Sequence, residues 1–292
     1  MASRCFMSYS TANDDPSFGR DIVNFENFAT RNPGPCSIAL YISVSEVLPR
    51  GNHENKTLER LRKLVESSKV FHVQSIQYKS NIGRDFSSAK ENLRRIVQVG
   101  SPSDYIFFSN RSAFGPLRDS WYEQFIAQFK KFSAIGLCGN TINRPCLNNP
   151  ADTHDLHVQT YAYLTTVKHF VDLACFMPGE QARTRQETID QGELELSRHI
   201  FTEGLGLTSL AWPDHSFTRA DDDVSPDLPC GNMTTQPEHR HIMDQLPFRH
   251  WHYGEKANPR SLARRVDLMI ARTRTRFQKR RLDKATGPET GT

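Results

Sequence analysis

The stretch from Ser103 to Leu117, SDYIFFSNRSAFGPL, decides how the rest of the chain is read. Residues 105–108 form an unbroken apolar run of the kind that is buried on both faces of a sheet. The run stops on Asn110-Arg111-Ser112 and then turns at Gly115-Pro116. In open α/β sheets, ligands bind beyond the carboxyl ends of the strands, so polar side chains that close a buried strand are candidate contacts.

Working outward, strand-like and helix-like patterns alternate. RCFMSYS reads as a strand, and residues 18–29 read as a helix with Ile22, Phe25 and Phe28 on one face. CSIALYISV (36–44) is a strong strand. Leu58, Leu61, Leu64 and Val65 recur at helical spacing, and KVFHVQSIQY returns to strand character. A helix over 86–99 precedes the opening stretch; a helix over 121–132 and the strand SAIGLCG follow it. This alternation implies an α/β fold, a mostly parallel central sheet flanked by helices on both faces. In the second half, residues 154–176 read as a strand leading into a helix. Residues 187–203 read as a helix stopped by Gly204 and Gly206, and 213–247 as a long loop. The expected division is a single domain over 1–258 and a basic amphipathic helix and tail over 259–292.

Composition narrows the class. At 292 residues the chain can bury a large core, and 37% hydrophobic with 24% charged residues excludes wholesale disorder. No apolar run approaches the ~20 residues that span a bilayer, and the polar start MASRCFMSYSTANDD has no signal-peptide core. Six cysteines without CxxC spacing argue against a disulfide framework or zinc ribbon and fit a reducing compartment. The expectation is therefore a cytoplasmic protein.

Three segments follow strands. In Asn81-Ile82-Gly83-Arg84-Asp85 a glycine lets backbone approach a ligand, while helix-start N–H groups and Arg84 can meet a phosphate and Asp85 a ribose or base edge. The plain alternative is Asp85 as a helix cap. Asn110, Arg111 and Ser112 supply an amide, a guanidinium and a hydroxyl where a metal-bridged pyrophosphate would need carboxylates. GNTIN and HVQTY add Asn140, Thr141, Asn143, His157, Gln159 and Thr160, groups that donate to and accept from sugar hydroxyls.

In order along the chain, N-x-G-R-D, D-Y-x-x-F-x-N-x-S-x-x-G-P, G-x-T-I-N, H-V-Q-[ST]-Y and E-x-x-L-S-R resemble the GT-A-like polysaccharide glycosyltransferases related to rhamnan-synthesis-type rhamnosyltransferases. The resemblance covers roughly residues 36–212. It implies a GT-A-like, Rossmann-like fold, a nucleotide-sugar donor and a glycan or glycolipid acceptor. Donor contacts would be Asn81, Gly83, Arg84, Asp85, Asn110, Arg111 and Ser112; sugar or acceptor contacts would be Asn140, Thr141, Asn143, His157 and Gln159. The glutamate of E-x-x-L-S-R corresponds to Glu193, the first choice for the base of an inverting transfer. Glu195 lies about 200° around a helix from it, and Asp190 is a third candidate. Members often carry Asp or Ser where Arg111 stands. With Asp-x-Asp absent, transfer without a metal is one reading; a divalent metal, manganese or magnesium, is the other. The rival to an enzyme is a non-catalytic nucleotide- or carbohydrate-binding module on a degenerate transferase fold.

Later in the chain, His252 and Lys256 are candidates to reach the pyrophosphate. Residues 260–281 hold nine Arg or Lys against one acid, with Leu262, Val266, Met269, Ile270, Thr273 and Phe277 on one stripe. Such a helix packs on its own domain or lies on an anionic membrane surface, making the protein peripheral there. Nucleic acid is not expected, because the aromatic interleaving that stacks bases is missing.

Overall fold

The computed structural model describes residues 3–35, 37–144, 155–218 and 239–251. The chain divides into a unit over 1–250 and a second over 251–292, of which only Trp251 is described. His252, Lys256, the expected boundary at 258 and the basic stretch 260–281 therefore lie outside the described residues.

The strands are β1 (Cys5–Ala12), β2 (Ile38–Glu46), β3 (Phe71–Ser80), β4 (Tyr105–Asn110), β5 (Ala113–Phe114), β6 (Ile135–Gly139), β7 (Ile142–Asn143), β8 (His157–Val158), β9 (Ala162–Thr166), β10 (Gly206–Ser209), β11 (Ser216–Phe217) and β12 (Arg249–His250). The helices are α1 (Gly19–Thr30), α2 (Asn52–Glu66), α3 (Arg84–Val99), α4 (Trp121–Lys131), the short α5 (Val167–Phe170), α6 (Arg185–Thr188), α7 (Glu195–Thr202) and α8 (Arg240–Met243). A 3₁₀ turn (Asp172–Ala174) follows α5, and a π-helical turn (Ile189–Leu194) joins α6 to α7.

Eight strands form the central sheet in the order β11-β10-β6-β9-β4-β1-β2-β3. β3, β2, β1 and β4 run parallel, as do β6 and β10. β9 is antiparallel to both neighbours, β4 and β6, and β11 is antiparallel at the edge. The mostly parallel α/β sheet inferred from the sequence is thus present. Two features differ from that reading. The stretch after Gly204 is not only a helix stop, because Gly206–Ser209 enters the sheet as β10. The loop expected over 213–247 contains β11 and α8.

The period of two sorts residues between the faces. Met7 and Tyr9 of β1, Leu40, Ile42 and Val44 of β2, and Phe107 of β4 share one core with Phe25 and Phe28 of α1, Leu58 and Leu61 of α2, and Trp121 and Phe125 of α4. The intervening residues face α3, and there the packing is polar. Asn92 donates to Ser8 Oγ at 3.0 Å, and its Oδ1 accepts from Ser43 Oγ at 2.8 Å and Gln77 Nε2 at 3.3 Å. Asn92, Ser8 and Ser43 are fully buried, so these paired groups fix the register of α3 on the sheet in a way apolar contacts do not. The first turn of α3 carries Asp85.

Candidate active site at the ends of β1 and β4

The chain leaves β1 for β2 and β3 on one side, and β4 returns on the other side of β1. That reversal opens a crevice beyond the carboxyl ends of β1 and β4, where Ser10 pairs with Asn110. Beyond β1, Asn13 accepts from the N–H groups of Val47 at 2.7 Å and Leu48 at 3.0 Å, which ties down the exit of β2. Asp14 comes next and grips the guanidinium of Arg111 with both oxygens. Arg111 also donates through Nη1 to Ala12 O at 3.0 Å, and its main-chain N–H donates to Ser10 O at 3.0 Å. Burial disfavours the Arg111 charge, but the Asp14 bond and the fields of Asp14, Asp21 and Asp85 outweigh it and hold its pKa above the ordinary value.

Asp85 accepts from Asn110 Nδ2 at 2.7 Å, so the ends of β4 and α3 meet through the two residues that the sequence singles out. Asp85 is not a helix cap; the cap position is Gly83 and carries no side-chain bond. Burial raises the Asp85 pKa against the pull of Arg111, Lys79, Arg84 and the Asn110 bond. Lys79, near the carboxyl end of β3, is pushed down to about 8 by burial.

Two features of the structure bear on the expectations for 81–85. The space beside Gly83 belongs to main chain rather than to a ligand: a Cβ there would lie 2.1 Å from Glu180 O. Four amides at the helix start are also used inside the chain. Gly83 N–H donates to Ala182 O at 2.8 Å and Arg84 N–H to Asn81 O at 3.2 Å, while the N–H groups of Phe86 and Ser87 go to Gly83 O. Asn81 is exposed at the rim, and Ser112 donates its N–H to Asn110 Oδ1 at 2.8 Å.

Glu193 lies in the π-helical turn, not in the regular helix expected over 187–203. Wide turns of this type are frequent at functional sites. Here the turn separates the three candidate bases. Glu195 is exposed and paired with Arg198, and Asp190 is exposed and accepts from Gln186 at 2.9 Å. Only Glu193 turns inward, with its side chain 24% exposed. It accepts from Thr160 Oγ1 at 3.1 Å, and Thr160 lines the same small cavity, of about 10 Å³, as Ser10, Asp85, Asn110 and Tyr163. Burial raises Glu193 to about 7; the Thr160 bond opposes the shift, and Asp85 adds to it.

The segments GNTIN and HVQTY are interior. Asn140 and Thr141 are fully buried, and both bond the hydroxyl of Tyr161, at 2.7 and 3.1 Å. Thr141 also donates to Gln159 Oε1 at 2.8 Å. Asn143 and His157 face each other, Nδ2 to Nε2, at 3.3 Å. Expected to meet sugar hydroxyls, Asn140 and Thr141 have no exposed surface; their hydrogen bonds hold Tyr161, and Asn140 also donates to Phe248 O at 2.9 Å.

Sequence reading passed over Asp14 and Asp21. Asp21, on the first turn of α1, is 1% exposed and accepts from Tyr9 Oη at 2.9 Å. Burial raises its pKa from 3.8 to about 6, with Arg111 pulling the other way. A carboxyl whose folded pKa is raised contributes most below its unfolded pKa, and that contribution fades as pH rises through the folded value. Between pH 4 and pH 7 the loss amounts to about 2 kcal/mol. Asp21→Asn should therefore raise the unfolding temperature at pH 7–8 and change it little at pH 4. A variant less stable than its parent at pH 8 would contradict this account.

No protein-family profile matches the chain, and no curated protein matches it. Among solved structures it is similar to the apo form of the bifunctional glycosyltransferase WbbM, at 11% identity and TM-score 0.42 over 86% of this chain and 46% of that one. It is also similar to the galactosyltransferase LgtC in complex with donor and acceptor sugar analogues, at 10% identity and TM-score 0.42 over 87% of each chain. Mouse xyloside xylosyltransferase 1 in its apo form is similar at 7% identity and TM-score 0.36, over 66% of this chain and 78% of that one. The chain thus spans less than half of the WbbM structure. These likenesses are too distant to assign an activity.

Proposed function

We propose that the chain is a glycosyltransferase. It moves a hexosyl or deoxyhexosyl group from a nucleotide sugar of the dTDP, UDP or GDP class to a hydroxyl of a glycan or glycolipid, with inversion. The observation that carries this reading is the placement of Glu193. A carboxyl tuned to about 7 joins, through Thr160, the crevice where Asp85, Asn110 and Arg111 converge. The order of the five motifs supports the donor class.

In this mechanism the ionised Glu193 takes the proton of the acceptor hydroxyl as that oxygen bonds to the anomeric carbon. The bond from that carbon to the phosphate oxygen breaks, and the nucleotide leaves. Arg111, fixed in place by Asp14, faces the developing charge without reorganising. Asp85 and Asn110 hold the donor from the ends of α3 and β4. His252 and Lys256 join the pyrophosphate contacts, and 260–281 the membrane surface, on sequence grounds alone. Among the described residues no helix is long and apolar enough to cross a membrane.

The carboxylates at the crevice do not fit a divalent cation. Asp14 commits both oxygens to Arg111, Asp21 is buried beneath Tyr9, and Asp85 accepts from Asn110. Among the described residues, no three His, Cys, Asp or Glu side chains converge as metal ligands.

The test is thermal unfolding of the full chain with a panel of nucleotide sugars, followed by assay of nucleotide release in manganese and in EDTA. At least one donor should raise the unfolding temperature by mass action, and release with acceptor glycan should persist in EDTA. A donor that binds but never turns over would make the chain the non-catalytic module instead. Release abolished by EDTA would overturn the metal-free mechanism.

A further inference from the structure

Tyr163 lines the small cavity of the crevice but takes no part in the transfer described above. Its place follows from the antiparallel run of β9, which sets Tyr163 opposite Phe108 of β4 and so on the same face of the sheet. The two rings stack at 4.9 Å with their planes 9° apart, and Phe170 packs against the Tyr163 ring at 6.3 Å. The ring is therefore held in one orientation, and the residue is 3% exposed. Buried tyrosine hydroxyls ordinarily find a partner. Tyr9 donates to Asp21 at 2.9 Å, Tyr122 to Phe6 O at 2.8 Å, and the Tyr161 hydroxyl accepts from Asn140 at 2.7 Å. Among the described residues, no hydrogen bond engages the hydroxyl of Tyr163.

Burial and the nearby carboxyls of Asp85 and Glu193 all push the Tyr163 phenol above its ordinary pKa, so at neutral pH it is an intact O–H donor. The cavity it lines, of about 10 Å³, has room for one oxygen and little more. Ser10, Asn110 and Thr160 share the lining with Asp85. Asp85 accepts from Asn110 through Oδ2, which leaves Oδ1 as an acceptor. Phe86, Ala89 and Phe108 complete the wall. A donor and an acceptor around space for one atom suit a hydroxyl, which can accept and donate at once. An anionic phosphate oxygen would instead meet two carboxyls.

We propose that this cavity is a subsite for one hydroxyl of the transferred sugar, which accepts from Tyr163 Oη and donates to Asp85. This rests on the chain binding a nucleotide sugar, but not on Glu193 being the base. A donor lacking that hydroxyl leaves the buried Tyr163 O–H unpaired. The subsite therefore selects against sugars deoxygenated at that one ring position. A resident water offers the cavity the same chemistry, and the experiment separates the two.

Thermal unfolding of the full chain is followed for the parent and Tyr163→Phe. Each is measured alone, with a nucleotide sugar, and with analogues of that sugar deoxygenated at one ring position at a time. Without ligand, Tyr163→Phe should unfold at the parent's temperature or slightly above it, because the lost hydroxyl had no partner. A variant several degrees less stable overturns the inference, since the hydroxyl then has a partner inside the fold. With ligand, one deoxygenated analogue should bind the parent about tenfold more weakly than the full sugar, and Tyr163→Phe should shrink that ratio to about threefold or less. An equal ratio in both proteins refutes the subsite. So does a parent that binds every analogue as well as the full sugar, for then the cavity takes water only. If no nucleotide sugar shifts either protein, the transferase reading fails and the subsite with it; if donors bind and Tyr163 is indifferent to them, only the subsite falls.

Discussion

Glu193→Gln should lower kcat for sugar transfer by roughly a thousandfold, within the ~10²–10⁴ that general-base catalysis contributes. The amide is isosteric and can still accept from Thr160, so the fold and the donor site should survive. Donor-induced thermal stabilisation should therefore match the parent to within the error of the measurement. The parent has a matching pH signature. With its carboxyl raised to about 7, the base is about half ionised at neutrality and fully so only above it, so kcat/KM should climb through pH 7 and level off. The Gln variant should lose that limb. Glu195→Gln is the control, since its partner is the exposed Arg198 and it does not reach the crevice. Equal damage from the two substitutions would remove Glu193 from its role.

How far the sequence foretold this arrangement differs from one element to the next. β1, β2 and β4 were legible because each is a buried run in a parallel sheet, where side-chain apolarity and strand identity coincide. The direction of β9 was not, because antiparallel and parallel strands buried on both faces share the same composition. β10 escaped for a different reason: Gly204 and Gly206 read as a stop, and four residues are too few to show a period. The site followed the same division. Asn110 and Asp85 stand out because each lies just at or beyond the end of a strand, and Asp14 in TANDD holds the same position relative to β1. Asp21 could not have been found so. It sits on a helix face among apolar residues, and only tertiary packing brings it near Arg111. The π-helical turn was also hidden. Within it Gly192 lies against Phe86, where an added Cβ would lie 2.2 Å from the ring.

That contact bears on the substitution expected to cost the most stability, Gly83→Ala. Gly83 has φ +71°, a conformation in which a Cβ costs about 1–2 kcal/mol. The steric clash costs more. The added carbon would sit 2.1 Å from Glu180 O and 2.5 Å from its carbonyl carbon, main-chain atoms that no rotamer change can move. Nor is the facing segment free to retreat: Gly83 N–H is bonded to Ala182 O, and Glu180 is held by Lys90 at 2.6 Å and by Met177 N–H at 2.9 Å. Together these imply a loss of roughly 3–5 kcal/mol, or about 10 °C in a domain of this size. Gly204→Ala separates the conformational cost from the steric one. Its φ is +70°, but nothing lies within 4 Å of the added carbon, so only the conformational cost of about 1–2 kcal/mol should appear. A displaced 177–182 segment would also shift Phe86, which packs between Gly179 and Gly192, the residue before Glu193. At temperatures where Gly83→Ala is still folded, its kcat should therefore fall while that of Gly204→Ala does not. If the two variants unfold at the same temperature, the close approach at Gly83 is not what holds α3 against the base.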